Sequence, residues 1–244
     1  MQNPFAPGVG GVLSADIAVP EHEAELRFYA RILTTGGSPL WRKDLMNNRG
    51  MPIIGLGKRM PEYKALPMQW MPHLQVADVG ACASRAVELG GSELMHGRDA
   101  EGRSQWAVLT DPSGEAFGLV PVIEAELAVV EGTGRISSLT LVAADVPATS
   151  LFYQEVVGWS AAQGADGIFR IVRPDGGTSA EILVSGDGAQ GVPSVWLIGL
   201  PVGDLDESLR RTGEGGGEVV WRSVPTDRAV VRDPVGVCLV IEGR

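Results

Sequence analysis

Three landmarks occur twice along this chain, in the same order and at nearly one spacing. Phe28-Tyr29 recurs 124 residues on as Phe152-Tyr153. Trp70, with Asp78 eight residues later, recurs 126 residues on as Trp196 with Asp204. Asp111-Pro112-Ser113-Gly114 recurs 122 residues on as Asp233-Pro234-Val235-Gly236. A fixed internal period of this size means two copies of one domain, and it has to be recognised before any other assignment. The copies are placed at 10–122 and 135–244, joined by a linker over 123–134 that carries Glu124, Glu126 and Glu131 and ends in Gly132-Thr133-Gly134. Charge and terminal glycines suit a boundary between domains.

Within each copy the hydrophobic pattern changes period twice. Val12–Val19 alternates as a strand, and Glu21–Leu33 carries Leu26, Tyr29 and Leu33 on one helical stripe. Pro39–Leu45 and Arg49–Gly57 read as strands around Asn47-Asn48. Trp70–Val76 is a further strand, and Val79–Leu89 a helix closed by Gly90-Gly91. Three short strands follow near 93–96, 105–111 and 116–122, and the second copy runs the same way. The elemental unit is therefore a βαβββ module, present four times in an α+β chain.

Composition excludes several function classes. Twenty Lys and Arg against thirty Asp and Glu leave a net charge of −10. That argues against nucleic acid and anionic membrane surfaces, which reward basic patches. The sequence shows no long apolar run of membrane-spanning length and no signal-peptide pattern at its start, so a cytoplasmic protein is expected. Cys82 and Cys238 read as buried free thiols.

The ordered set of motifs resembles the vicinal oxygen chelate superfamily: glyoxalase I, the bleomycin-resistance proteins and the extradiol dioxygenases. The motifs are a strand followed by Phe-Tyr, a Trp with an Asp that opens a helix, a Gly-Gly, then Asp-Pro-x-Gly. The resemblance covers nearly the whole chain as two tandem domains and implies paired βαβββ modules whose mixed sheets curl into cups. It also implies that metal-dependent members place their ligands on the first and last strands of each module, pointing into the cup. Carried over by position, the first-strand sites are Asp16 and His73. A last-strand site falls on Gly118, where metal-binding members carry Glu, and the fourth falls near 53–55. Asp16 and His73 are thus the candidate catalytic and metal residues, two ligands where a catalytic zinc or a facial triad needs three. The equivalents in the second copy are Thr140, Gly199 and Val240, with Glu181 near the fourth position, and that copy is expected to be metal-free.

Asp16 interrupts an apolar strand pattern, so it faces either solvent or a cavity, because unpartnered burial of a carboxylate is costly. His73 is either pocket-lining or a hydrogen-bonded core residue. Trp41, Trp106 and Met51 are candidate ligand contacts: strand tryptophans in a cup stack on planar molecules, and methionines line adaptable pockets. Trp70 and Trp196, at equivalent places, are expected to pack at a junction. His22 and His96 read as surface residues. The expected function is binding of a small, partly hydrophobic molecule in the first cup without a complete metal site. The alternative is a lyase, isomerase or dioxygenase using a divalent metal on Asp16 and His73. Fusion of two copies makes a monomer expected, with a homodimer as the alternative.

Overall fold

The structure, a computed structural model, describes residues 7–45, 54–123, 134–164, 168–186 and 191–244. The first copy contributes β1 (Val12–Val19), α1 (His22–Leu33), β2 (Ile54–Lys58), β3 (Met71–Val76), α2 (Val79–Glu88), β4 (Ser92–Arg98), β5 (Ser104–Thr110) and β6 (Ala116–Pro121). The second contributes β7 (Ser138–Ala143), α3 (Val146–Val157), β8 (Ser160–Gln163), β9 (Phe169–Val172), β10 (Thr178–Val184), β11 (Trp196–Val202), α4 (Leu205–Glu214), β12 (Glu218–Ser223), β13 (Arg228–Arg232) and β14 (Cys238–Gly243). Three modules show the full βαβββ order. The first shows β1, α1 and β2, its remainder touching residues outside those described. No helix among the described residues is long and apolar enough to cross a membrane.

Each copy forms one open mixed sheet, ordered β2-β1-β3-β6-β5-β4 and β12-β13-β14-β11-β7-β10-β9-β8. In the first sheet the modules meet where β1 runs antiparallel to β3, with Ser14 opposite His73 and Asp16 opposite Met71. Each of these strands has a parallel partner outside it, β2 pairing Asp16 with Gly55 and β6 pairing His73 with Gly118. Four strands thus bring the four ligand-equivalent positions to the centre of one sheet.

Local chemistry fixes the elements. Helices α2, α3 and α4 start at Asp78, Asp145 and Asp204, whose carboxylates accept backbone N–H bonds three residues on at 2.9, 3.0 and 2.9 Å. Such caps satisfy otherwise orphaned donors and bind the helix dipole. The repeated Asp-Pro-x-Gly is a turn held by its own aspartate. Asp111 Oδ1 accepts N–H bonds from Ser113, Gly114 and Glu115, and Asp233 Oδ1 accepts from Val235 and Val237. Gly114 and Gly236 close these turns at φ 101° and 96°, where a side chain would be strained.

The helices cover one face of each sheet and meet across the domain boundary, α1 against α4 and α2 against α3. One continuous apolar core runs through both copies. At its centre the repeated landmarks bond reciprocally. Trp70 Nε1 donates to Tyr29 Oη at 3.2 Å, and Tyr29 donates to Asp233 Oδ2 at 2.8 Å. Trp196 Nε1 donates to Tyr153 Oη at 3.0 Å, and Tyr153 donates to Asp111 Oδ2 at 3.2 Å. Each copy's Tyr–Trp pair therefore holds the turn of the other copy. Burial, then the neighbouring aspartate, pushes both phenols well above their ordinary pKa, so they stay neutral donors. The expected junction packing of Trp70 and Trp196 is thus a hydrogen-bonded seam between domains.

Two expectations change. Pro39–Leu45 is not a strand. Trp41 instead anchors this segment on the second domain: its indole donates to Pro201 O at 2.8 Å and it is 3 % exposed. His96 is not a surface side chain. It is 7 % exposed, bonded to Glu93 at 2.9 Å and Ser104 at 2.8 Å. Of the thiols, Cys238 is buried, Cys82 is half-buried and both are free.

Candidate binding cup of the first domain

The face of the six-stranded sheet opposite the helices encloses a cavity of about 550 Å³. Strand alternation decides which side chains reach it. Asp16 comes from β1, Met71 and His73 from β3, Met95 from β4, Trp106 and Val108 from β5, while Tyr63 and Leu66 close it from the connector before β3. Leu66, Met71, Val108 and Ala116 form a buried apolar cluster there, with Tyr63, Leu94 and Met95 packed against it.

The polar corner is small. His73 Nε2 lies 3.5 Å from Asp16 Oδ2, and its Nδ1 lies 3.2 Å from Ser14 Oγ. This follows from the register: Ser14 sits directly across from His73, and Asp16, two residues on, reaches the same ring diagonally. The His73 side chain is 17 % exposed and that of Asp16 is 47 %, so the carboxylate stands in the cavity mouth and keeps its hydration. The Ser14 hydroxyl and the Asp16 carboxylate thus address the two ring nitrogens of His73 from opposite edges.

Both glycine partners are filled by this pair. A Cβ at Gly55 would lie 2.1 Å from Asp16 Oδ1, and one at Gly118 2.3 Å from His73 Cδ2. Backbone neighbours without side chains are what allow Asp16 and His73 to lie down across the sheet. Gly118→Val is therefore expected to expel the His73 ring and cost roughly 1–3 kcal/mol of stability. A shift in the urea midpoint, together with a moved His73 resonance, would check it.

The sites picked from the sequence separate into three groups. Asp16, His73 and Trp106 come together at this cavity. Trp41 does not line it, because its indole is committed to Pro201 O. Met51 lies outside the described residues. Ser14, Tyr63, Leu66, Met95 and Val108 were missed, although Ser14 and Val108 each stand two residues from a chosen strand position and so share its face. Glu115 is not at the cup: it is 3 % exposed beside the Asp111 turn.

The second cup is built differently. Glu181 pairs with Thr140 and Gly199 with Val240, at the positions equivalent to Gly55, Asp16, His73 and Gly118. Arg228 reaches Glu242 at 3.0 Å and Glu181 at 3.8 Å, and donates to Ser138 at 3.0 Å. Ser137 and Ser138 also donate to Glu242, at 2.6 and 2.5 Å. Val142, Val192, Val195, Leu197, Val230, Cys238 and Val240 pack as a closed cluster nearby.

Residues 13–120 match the family model of the glyoxalase-like domain. The chain belongs to the vicinal oxygen chelate superfamily. Among its relatives is the Mycobacterium tuberculosis protein named "Putative glyoxylase CFP32", 26 % identical over 91 % of this chain and 90 % of that one. Another is the anthracycline biosynthesis protein DauV of Streptomyces sp. strain C5, 31 % identical over 70 % of this chain and 64 % of its own length. The solved 2,2',3-trihydroxybiphenyl 1,2-dioxygenase of Sphingomonas wittichii superposes with a TM-score of 0.55 at 15 % identity, covering 98 % of this chain and 91 % of its own. The Mn(II)-bound glyoxalase of Novosphingobium aromaticivorans gives 0.54 at 15 % identity, covering 98 % and 83 %. These structures share the fold.

The donor set at the ligand-equivalent positions is incomplete among the described residues. Two of its four ligand-equivalent positions are Gly55 and Gly118, and the space a side chain would enter there is taken by Asp16 and His73. Among the described residues, no three His, Cys, Asp or Glu side chains gather where they could hold an ion. One carboxylate and one imidazole fall short of the three protein ligands of a catalytic zinc or facial-triad site.

Proposed function

We propose that this chain binds a small, partly hydrophobic molecule in the cup of its first domain, without a complete catalytic metal centre. The observation that carries the reading is the cavity of about 550 Å³, walled by Trp106, Met71, Met95, Leu66 and Val108 with a single Asp16–His73 corner. Apolar walls with a few placed polar groups are the usual make-up of a small-molecule site, and this volume suits a drug-sized ligand. Similarity to DauV, a protein named for anthracycline biosynthesis, is consistent with a polycyclic ligand. The second cup has its acidic groups paired with Arg228 and its floor filled with valines, so the first cup is assigned the binding role.

Trp106 makes the proposal testable. It is 40 % exposed, whereas Trp41, Trp70, Trp159 and Trp196 are at most 3 % exposed. A ligand entering the cup is expected to quench the tryptophan emission in a saturable way. Trp106→Phe should remove most of that signal and weaken binding severalfold, because a phenyl ring offers a smaller stacking face than an indole. Binding should be unchanged by EDTA. A dissociation constant that tightens only with added divalent metal would overturn the metal-free part of the reading, and quenching that persists in Trp106→Phe would place the ligand elsewhere.

A further inference from the structure

Resting on that binding reading, we infer that the cup selects planar aromatic cations over neutral and anionic molecules of the same shape. Two features at opposite sides of the cavity lead there. The first is the seating of Trp106. It pairs across the hairpin with Gly97, and an ideal Cβ on Gly97 would lie 2.2, 2.3 and 2.8 Å from Nε1, Cε2 and Cζ2 of its indole. Three ring atoms that close to one point mean that the indole lies flat on the Gly97 backbone. The ring is nevertheless 40 % exposed and lines the cavity, so its other face is open as a stacking platform. An indole face carries the negative end of the ring quadrupole and prefers a cation, or a ring made electron-poor by one.

The second feature is the charge of the lining. Among the described residues, Asp16 is the one carboxylate that lines the cavity, and no lysine or arginine does. Asp16 is 47 % exposed and its partner is the His73 ring at 3.5 Å, a separation that leaves most of its acceptor capacity to a ligand. On the connector, Arg59 donates to the carbonyls of Ala18, Lys64 and Leu66, which commits its guanidinium to the backbone, and neither Arg59 nor Lys64 lines the cavity. The whole molecule carries a net charge of −10, which adds attraction for a cation during approach. Among the described lining residues, an anionic ligand would meet the Asp16 carboxylate and no lysine or arginine.

Three-ring probes of matched size separate the possibilities: 9-aminoacridine as the cation, acridone as the neutral analogue and anthracene-9-carboxylate as the anion. Calorimetric titration of the full chain at pH 7 should give the cation at least tenfold tighter than acridone, and the anion weaker again. Asp16→Asn should weaken the cation at least tenfold and so erase the difference between cation and acridone. Gly97→Ala and Trp106→Ala should each weaken all the probes that bind, the first by tilting the indole off its seat. Equal affinity for cation and acridone, or a preference unchanged in Asp16→Asn, overturns the charge selection and leaves the binding reading standing. Cation binding that survives both Asp16→Asn and Trp106→Ala lies on the acidic surface and likewise overturns it. Failure of every probe to bind overturns the inference together with the reading it rests on.

Discussion

Raising the pH from about 5 to about 9 is expected to destabilise this protein, and Glu115→Gln is expected to remove most of that loss. Glu115 is 3 % exposed and Glu25 1 % exposed, and the Oε2 atom of each has no hydrogen-bond partner. Burial, then the hydrogen bond and charge of Asp111, raises the Glu115 carboxyl from 4.5 to about 8. Burial, then the charge of Asp233, raises that of Glu25 from 4.5 to about 7. The sign follows from which state holds the proton. Below 4.5 both the folded and unfolded chains are protonated and nothing is lost. Above it the unfolded chain releases a proton that the folded chain keeps, so stability falls until the folded-state value is passed. At about 1.4 kcal/mol per pKa unit the Glu115 shift sets a ceiling near 5 kcal/mol, and water entry at high pH reduces it to roughly 2–3. Glu25→Gln should recover a smaller share, roughly 1–2 kcal/mol. The second copy shows that neutral residues fit: its equivalents of Glu25 and Glu115 are Thr149 and Val237. Urea midpoints of the wild type and both variants, measured at the two pH values, check this. A Glu115→Gln variant with the wild-type pH slope would sink it.

These two carboxyls also mark the limit of what the sequence discloses. The four-module architecture is legible because scaffold positions repeat: Phe28-Tyr29, Trp70 and Asp111-Pro112 each have a copy, and each copy does the same job. Asp16 and His73 are legible through a resemblance that fixes their strand positions, and Gly118 through its lack of a donor. What could not be read is which copy each landmark serves. Nothing in spacing says that Tyr29 bonds Asp233 rather than Asp111, since the two turns have the same sequence at the positions that matter. Trp41 fails for a related reason. An aromatic between short apolar runs looks like a strand residue, but its partner is a carbonyl 160 residues away in the other domain. His96 was misjudged because a histidine among polar neighbours suggests solvent, whereas here Glu93 and Ser104 close over it. The walls of the cup were partly available through the two-residue period from Asp16, His73 and Trp106. Tyr63 and Leu66 were not, because the connector that carries them has no period to read.

Asp233→Ala is expected to cost roughly 3–4 kcal/mol and Tyr29→Phe roughly 1–2, by different routes. The aspartate holds its own turn through the N–H groups of Val235 and Val237, at 3.1 and 2.7 Å, and receives the Tyr29 hydroxyl at 2.8 Å from the other domain. Removing the carboxylate leaves two turn donors and one buried hydroxyl proton unsatisfied. Removing only the hydroxyl leaves the turn intact and forfeits the link across the seam. The excess of the first loss over the second therefore measures the turn, and the second alone measures the seam. Because Asp111 and Tyr153 repeat the arrangement, the Tyr29→Phe, Tyr153→Phe double variant loses both links while keeping both turns. Wild-type unfolding in urea should give one transition by tryptophan emission and by far-UV circular dichroism. With both links gone the transitions should separate, since each domain keeps its own sheet and loses part of what couples it to the other. Coincident transitions in the double variant would mean that the apolar helix contacts, α1 on α4 and α2 on α3, couple the domains without the hydroxyls.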